Sequence, residues 1–156
     1  MKLLIPTLMV IVCSMALTTQ TTAGDVEDVR AATMEHFATL NAGNALAHVQ
    51  HHMAGHSTYD ALGGLLEVSN SLDEEIAALK ADFESGLKLN MDLRHLDVKV
   101  YGNAAVVTGY VVGTSTSPDG TIQQVTSRRS AVLIKDAGKW KEVHLHSSPV
   151  IAIPQQ

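Results

Sequence analysis

The spacing of apolar residues changes once along this chain and divides it into a helical first half and a strand-rich second half. Up to about residue 86, apolar side chains recur three or four positions apart, as in amphipathic helices. From Leu87 onward they recur at every second position, as in half-buried strands. Because the helices precede the strands and do not alternate with them, the pattern predicts an α+β fold.

Two of the predicted helices, the first and the third, have recognisable signals at both ends. Asp25 can cap the first turn of a helix that ends near Asn41-Ala42-Gly43, where Gly43 can adopt a left-handed conformation. Ser71 and Glu74 have the spacing of a capping box, in which each residue satisfies a free backbone N–H of the other. This helix is expected to end near Ser85-Gly86.

A short helix is predicted between these two. Asn44 can cap it, and Leu46, Val49 and Met53 would share one of its faces. The polar run His56 to Asp60 that follows is predicted to be a loop or a short strand.

The strand-rich half contains a change of phase that predicts curvature. Leu87 to Leu93 place apolar residues on odd positions, whereas Leu96 to Val100 place them on even positions, so the phase slips at Arg94-His95. A one-residue slip would reverse the face of every later side chain unless a bulge absorbs it, and bulges bend sheets. Three turn signals then join four strands into an antiparallel meander: Gly102-Asn103, Pro118-Asp119-Gly120 and Asp136-Ala137-Gly138.

Residues Met1 to Ala23 have the layout of a secretory signal, with Lys2, an apolar stretch from Leu3 to Leu17 and a small polar tail. The apolar stretch is shorter than the roughly 20 residues that span a bilayer, so a stable membrane anchor is the lesser alternative. A lipoprotein processed at Cys13 is another. We therefore expect an exported protein, periplasmic or secreted, whose mature part is one domain of residues 24–156.

Charge and cysteine content exclude several classes of site. Cys13 is the only cysteine and would leave with the signal, so the mature chain would have no disulfide and no thiolate site. The formal net charge is −5, from 11 Lys+Arg and 16 Asp+Glu, without a basic cluster. Nucleic acid is therefore not an expected partner.

The end of the chain carries the most specific motif, a Gly138-Lys139-Trp140 turn that leads into Val143-His144-Leu145-His146 and nearby serines. It is similar to the last strand of the association domain of calmodulin-dependent kinase. With Asn41-Ala42-Gly43-Asn44 at a helix end, the whole order of elements resembles the nuclear transport factor 2-like (NTF2-like) superfamily, including SnoaL-like domains. The resemblance implies a cone of helices on a strongly curved sheet that encloses a pocket. Its members include isomerases, dehydratases, cyclases, epoxide hydrolases and binding or oligomerising modules, so the fold alone does not define a function.

The run His56 to Asp60 is our predicted mouth of this pocket. A histidine and a nearby carboxylate are suited to proton transfer, so His56 and Asp60 are the candidate catalytic residues. Loop capping is the alternative role for both. The candidate ligand-binding residues are Tyr59, Tyr110, Arg129 and His146. On the concave face, Arg129 would need a carboxylate, from a ligand or from the protein.

Five of the eight histidines lie within 21 residues: His36, His48, His51, His52 and His56. His48 and His52 are four residues apart, a spacing that lets two imidazoles on a helix reach one ion, and Asp60 could add a carboxylate. No recognised motif completes a ligand set. We therefore assign no metal or cofactor from the sequence, and whether His48, His51, His52 and His56 bind a metal stays open.

Two hypotheses of different class follow. In the first, the pocket holds a small apolar or carboxylate-bearing ligand, with or without a proton-transfer reaction of the isomerase, dehydratase or cyclase type. In the second, the chain is a non-catalytic association module. In either case we expect a homodimer.

Overall fold

The computed structural model describes residues 23–60 and 64–151. The predicted signal segment, apart from Ala23, lies outside these residues. The elements in chain order are α1 (Ala23–Asn41), α2 (Ala45–Val49), β1 (His52–Tyr59), β2 (Glu67–Ser69), α3 (Leu72–Ser85), β3 (Lys88–Tyr101), β4 (Ala104–Thr116), β5 (Ile122–Asp136) and β6 (Lys139–Pro149). Within the described ranges, no helix is both long and apolar enough to span a membrane.

Helix α1 follows the predicted apolar face but begins earlier than expected. Its first residue is Ala23, so Asp25 lies inside the first turn and forms an ion pair with Lys135 at 2.6 Å. Val29 and Phe37 are buried on the predicted face. The helix ends at Asn41, and Gly43 has the left-handed φ of 67° that its position required.

The prediction for α2 was correct at its start and wrong at its end. The Asn44 side chain accepts a hydrogen bond from the backbone N–H of Ala47, as a cap should. The helix ends at Val49, however, and Met53 lies in β1. The chain leaves the helix because its backbone joins β6, where the N–H of Glu142 donates to the carbonyl of His51 at 2.7 Å.

Helix α3 matches its sequence signals at both ends. The Ser71 hydroxyl accepts a hydrogen bond from the N–H of Glu74, and Gly86 closes the helix with a left-handed φ of 112°. No residue of α3 is fully buried. The helix therefore lies at the rim of the fold, half-covered along its apolar face.

The sheet has six strands in the order β2-β1-β6-β5-β4-β3. Strands β3 to β6 form the predicted antiparallel meander. The sheet as a whole is mixed, because β1 pairs in parallel with β6 and β2 pairs antiparallel with β1. The α+β class and the curved sheet are thus confirmed, with two strands more than the meander.

Irregular pairing at three places bends this sheet. The β3–β4 register shifts between Arg94 and Asp97, where His95 has a positive φ of 53°, as the phase slip predicted. The β5–β6 register shifts between Val132 and Leu133, and the β1–β6 register shifts between His52 and Ser57. The concave side that results faces α1.

The concave side is packed at one end and hollow at the other. The main core contains one residue of α1 and residues of β3 to β6: Val29, Val98, Ala105, Val107, Ala131, Leu133 and Trp140. A smaller cluster contains Phe37, Met91 and Val111. Beyond it, the C-terminal half of α1 borders a cavity rather than a packed core.

Candidate functional site

The main cavity has a volume of about 620 Å³ and is lined by α1, α2, β1, β2, α3 and the concave face of β5 and β6. Histidines from three elements line it: His36 of α1, His48 of α2, and His52 and His56 of β1. All four side chains are largely buried, with 6 to 9% of their surface exposed. The cavity therefore holds a cluster of imidazoles with little access to solvent.

Three of these imidazoles approach one another through their Nε2 atoms. Nε2 of His36 lies 3.1 Å from Nε2 of His48 and 3.0 Å from Nε2 of His52. The His36 and His48 rings stack with centroids 4.0 Å apart, and the His52 ring meets the His36 ring edge-on. Candidate metal-ligand atoms of the three rings thus lie within 4.8 Å of one another.

The outer nitrogens of two of these rings are held by acceptors. Nδ1–H of His48 donates to the backbone carbonyl of His36 at 3.1 Å, and Nδ1–H of His52 donates to Oε1 of Glu75 at 2.7 Å. Since a carbonyl and a carboxylate only accept, both rings carry their proton on Nδ1 when neutral.

Glu75 connects α3 to this cluster. Its other oxygen, Oε2, accepts a hydrogen bond from the Ser69 hydroxyl at 2.9 Å. Nε2 of His56 lies 3.7 Å from Oε1 of Glu75, while Nδ1–H of His56 donates to the carbonyl of Met53. Glu75 therefore orients His52 and also lies beside His56.

Burial lowers the pKa of two histidines of this cluster, His36 and His48. Burial, followed by repulsion from His48, holds the pKa of His36 well below its usual range, and burial lowers the pKa of His48 to about 4. Burial also lowers the pKa of the neighbouring His51. For Glu75, burial acts to raise the pKa, but hydrogen bonds from His52 and Ser69 outweigh it and the pKa is lowered. Near neutral pH, Glu75 is therefore a carboxylate, and the imidazoles of His36 and His48 are uncharged.

Two groups of described residues each place three candidate metal-ligand atoms within 4.8 Å of one another. One consists of His36, His48 and His52, and the other consists of His52, His56 and Glu75. His48 and His52 do meet, as their spacing suggested, but across an α2–β1 junction and not along one helix.

A buried ion pair forms the floor of the cavity. The guanidinium of Arg129 on β5 pairs with the carboxylate of Glu142 on β6, and both residues are buried. The Arg129 guanidinium also lies over the Phe37 ring, 5.2 Å from its centroid. The carboxylate that Arg129 was predicted to need is therefore supplied by the protein.

The cavity as a whole is acidic. Four carboxylates line it, Glu67, Glu74, Glu75 and Glu142, against the single guanidinium of Arg129. Because Glu142 neutralises Arg129, the remaining field favours a neutral or cationic occupant over an anionic one.

The predicted site residues fall into three places. His56 and Arg129 line the main cavity. Tyr59, Asp60 and His146 line a smaller groove of about 220 Å³, with the Tyr59 and His146 rings 5.7 Å apart. Tyr110 lies elsewhere, with 42% of its surface exposed and its ring 6.0 Å from that of His95. Asp60 is thus separated from His56, its proposed catalytic partner.

A bulge explains why His146 lies outside the cavity. Strict alternation along β6 would place His146 on the same face as Glu142. In the observed register, Leu133 pairs with Glu142 and Val132 pairs with His144. Val143 therefore has no partner on β5 and forms a bulge. Beyond it the faces exchange: Glu142 and Leu145 line the cavity, and His144 bonds to Ser57 through a 2.8 Å contact.

A family model described as a SnoaL-like domain matches residues 29–153, which is most of the chain. The chain belongs to the SnoaL-like domain family. No curated protein matches this SnoaL-like chain in sequence.

Several solved structures share the fold of this SnoaL-like chain, and one of them is described as NTF2-like. A ketosteroid isomerase-like protein from Erwinia carotovora has a TM-score of 0.67 at 17% identity, covering 84% of this chain and 100% of that one. An NTF2-like protein from Rhodospirillum rubrum, of unknown function in nutrient uptake, has a TM-score of 0.67 at 20% identity, covering 80% and 99%. The association domain of CaMKII from C. elegans has a TM-score of 0.63 at 18% identity, covering 80% and 95%. At these identities the likeness concerns the fold.

Sequence reasoning did not assign His36, Glu75 or Glu142 to the site. His36 is adjacent to Phe37 on the buried side of α1. A polar residue on a buried helix face is uncommon, so this position could have indicated a site residue. Glu75 follows the capping-box residue Glu74 and looks like another acidic residue of a first turn. Its role depends on where β1 lies, which local sequence does not specify.

Proposed function

We propose that this protein is an exported small-molecule-binding protein of the SnoaL-like family that holds a neutral or cationic polar molecule in the main cavity. The observation that carries the proposal is the cavity itself, which is large, lies under α1 and α3, and is lined by both imidazoles and apolar side chains. Sites of this volume with a few convergent polar groups are typical of small-molecule binding.

The charges of the residues that line the main cavity determine which class of ligand it can hold. A carboxylate-bearing molecule, as considered from the sequence, would meet three glutamates for which the described residues supply no guanidinium partner, namely Glu67, Glu74 and Glu75. A molecule with hydroxyl, amide or amine groups can instead donate hydrogen bonds to them.

A proton-transfer reaction of the isomerase, dehydratase or cyclase type is the enzymatic form of this proposal. Of the two candidate catalytic residues, His56 lines the cavity and Asp60 lines the separate groove. In the enzymatic form, His56 is therefore the group that contacts the substrate.

The proposal is tested by blocking the cavity from α3. Ala77 and Ala78 are both exposed, but only Ala78 lines the cavity, so Ala78→Trp and Ala77→Trp add the same bulk in different directions. The chain is expressed with its N-terminal segment, incubated with a small-molecule extract of its host and measured by native mass spectrometry.

We expect bound small molecules in the wild type and in Ala77→Trp, and a loss of about 10-fold or more in Ala78→Trp. A wild type without any bound molecule, or equal retention by both variants, would contradict cavity binding. The same spectra give the number of subunits and the mass of the processed chain. They therefore also test the proposed homodimer and the proposed removal of a signal segment after Ala23.

A further inference from the structure

We propose that His36, His48 and His52 bind one divalent first-row transition-metal ion, with zinc as the reference occupant, and leave a coordination position open toward the main cavity. That position would take water, or an oxygen or nitrogen atom of a molecule in the cavity. The metal site is a separate property from small-molecule binding and does not depend on it.

The first support is the distance between the nitrogens. Nitrogens bound to one zinc ion at about 2.1 Å in tetrahedral geometry lie about 3.4 Å from one another. Nε2 of His36 lies 3.1 Å from that of His48 and 3.0 Å from that of His52. Two of the three nitrogen pairs are therefore within a few tenths of an ångström of the separation that a shared zinc ion requires, and candidate ligand atoms of all three histidines lie within 4.8 Å of one another.

The second support is the direction of the rings. His48 and His52 each donate Nδ1–H to an outer acceptor, the His36 carbonyl and the Glu75 carboxylate. Metal-bound histidines almost always use their second nitrogen in this way, because it fixes the tautomer and points the lone pair at the ion. Histidine with a carboxylate behind it is a common arrangement at zinc sites.

The third support is a count of protons. His48 and His52 carry their protons on Nδ1, so each presents a lone pair on Nε2 to His36. A neutral His36 ring has one proton. If that proton is on Nε2, it can hydrogen-bond to only one of the two lone pairs, and if it is on Nδ1, neither lone pair receives a hydrogen bond. In either tautomer at least one Nε2 lone pair is therefore left without a hydrogen bond in a buried site, which is unfavourable. One cation at the centre interacts with all three lone pairs.

The surroundings also suit a cation. Glu75 adjoins the ligand set, and Glu67, Glu74 and Glu142 also line the cavity. Arg129 is near enough for its charge to act on His36, but Glu142 pairs with it. An all-imidazole set is typical of zinc, copper, nickel or iron(II), and not of calcium or magnesium.

The alternative group of His52, His56 and Glu75 fits an ion less well. The His52 nitrogen nearest to Glu75, Nδ1, already donates a hydrogen bond to Oε1 of Glu75 at 2.7 Å. We therefore assign Glu75 as the positioning residue of His52, with His56 beside it.

The test measures metal content and metal affinity directly. The full chain, with no polyhistidine tag and purified without chelator, is analysed by inductively coupled plasma mass spectrometry, then stripped with EDTA and titrated with zinc sulfate by calorimetry. Cobalt(II) is bound in parallel, because its visible spectrum reports nitrogen ligands and coordination number.

Variants separate the ligands from their neighbours. His48→Gln and His52→Gln remove ligands, while His51→Gln removes a histidine of the same segment that belongs to neither ligand group. Glu75→Gln retains an oxygen that can accept from His52 but removes the charge. Circular dichroism melts establish whether each variant is folded. If His48→Gln or His52→Gln does not fold, the metal affinity of Glu75→Gln still tests the site.

We expect about one ion per wild-type chain, near-complete loss in His48→Gln and His52→Gln, wild-type affinity in His51→Gln, and affinity weakened about 10- to 100-fold in Glu75→Gln. Folded wild type that neither contains nor binds zinc or cobalt would overturn the site. So would a loss in His51→Gln as large as in His48→Gln, or unchanged affinity in Glu75→Gln. Ala78→Trp should lose small molecules and keep the metal, so each proposal can fail alone.

Discussion

Glu75 accepts a 2.7 Å hydrogen bond from Nδ1 of His52, while Nε2 of the same ring lies 3.0 Å from Nε2 of His36. A carboxylate on α3 therefore determines which nitrogen of a β1 residue points at a histidine of α1. Without that hydrogen bond the His52 ring could present either nitrogen to the cluster. The geometry of the cluster thus depends on how α3 sits against β1.

Breaking the Arg129–Glu142 pair should destabilise the protein strongly, because either partner alone would be a buried charge without compensation. We expect Arg129→Met and Glu142→Gln each to lower the free energy of unfolding by about 3–5 kcal/mol. The double variant Arg129→Met/Glu142→Leu should recover most of that loss. Urea unfolding of all three variants measures this, and a double variant as unstable as the sum of the singles would contradict it.

Asn41 should stabilise the edge of the sheet. Its side-chain amide donates to the carbonyl of Met91 at 2.9 Å and accepts from the N–H of Met91 at 2.8 Å, which covers two backbone groups of the edge strand β3. We expect Asn41→Ala to cost about 1–3 kcal/mol in urea unfolding. Asn103→Ala, in an exposed turn, is the control and should change stability by less than about 0.5 kcal/mol. Equal effects would show that the Met91 contacts contribute little.

Gly113 should tolerate no side chain, because a Cβ at this position would overlap the carbonyl oxygen of Asn90 on β3. A Cβ at Gly109 would lie 3.1 Å from the carbonyl oxygen of Arg94, a milder contact. We therefore expect Gly113→Ala to lower thermal stability by more than Gly109→Ala, at a cost of about 1–3 kcal/mol or more. The reverse order in a thermal melt would contradict the close approach of the two strands.

His56 and Asp60 should differ in ligand binding, although the sequence suggested that they act together. His56 lines the main cavity and Asp60 lines the smaller groove. In the native mass spectrometry assay, we expect His56→Ala to reduce the retained small molecule about 10-fold and Asp60→Ala to leave it unchanged. A loss confined to Asp60→Ala would move the binding site to the groove that contains Tyr59 and His146.

Local sequence was sufficient for α1, α3, the four-strand meander and one bend. The caps at Ser71 and Gly86, the left-handed Gly43 and the bulge near His95 all follow from spacing and from the conformations that glycine permits. These features depend on residues within a few positions of one another, which is the range over which local sequence determines backbone conformation. The helix-rich first half and the strand-rich second half likewise indicated the α+β class, although β1 and β2 precede α3.

Only the tertiary structure decided which residues share the cavity. His36, His48 and His52 meet because α1, α2 and β1 pack together, and Glu75 joins them from α3, so none of these contacts has a local signal. The extra residue Val143 in β6 exchanged the faces of the strand, which put Glu142 on the same face as Arg129 and sent His146 outside. Periodicity predicts relative faces within one element, whereas a site is made by the packing of elements, and that packing is set by the burial of the whole apolar surface.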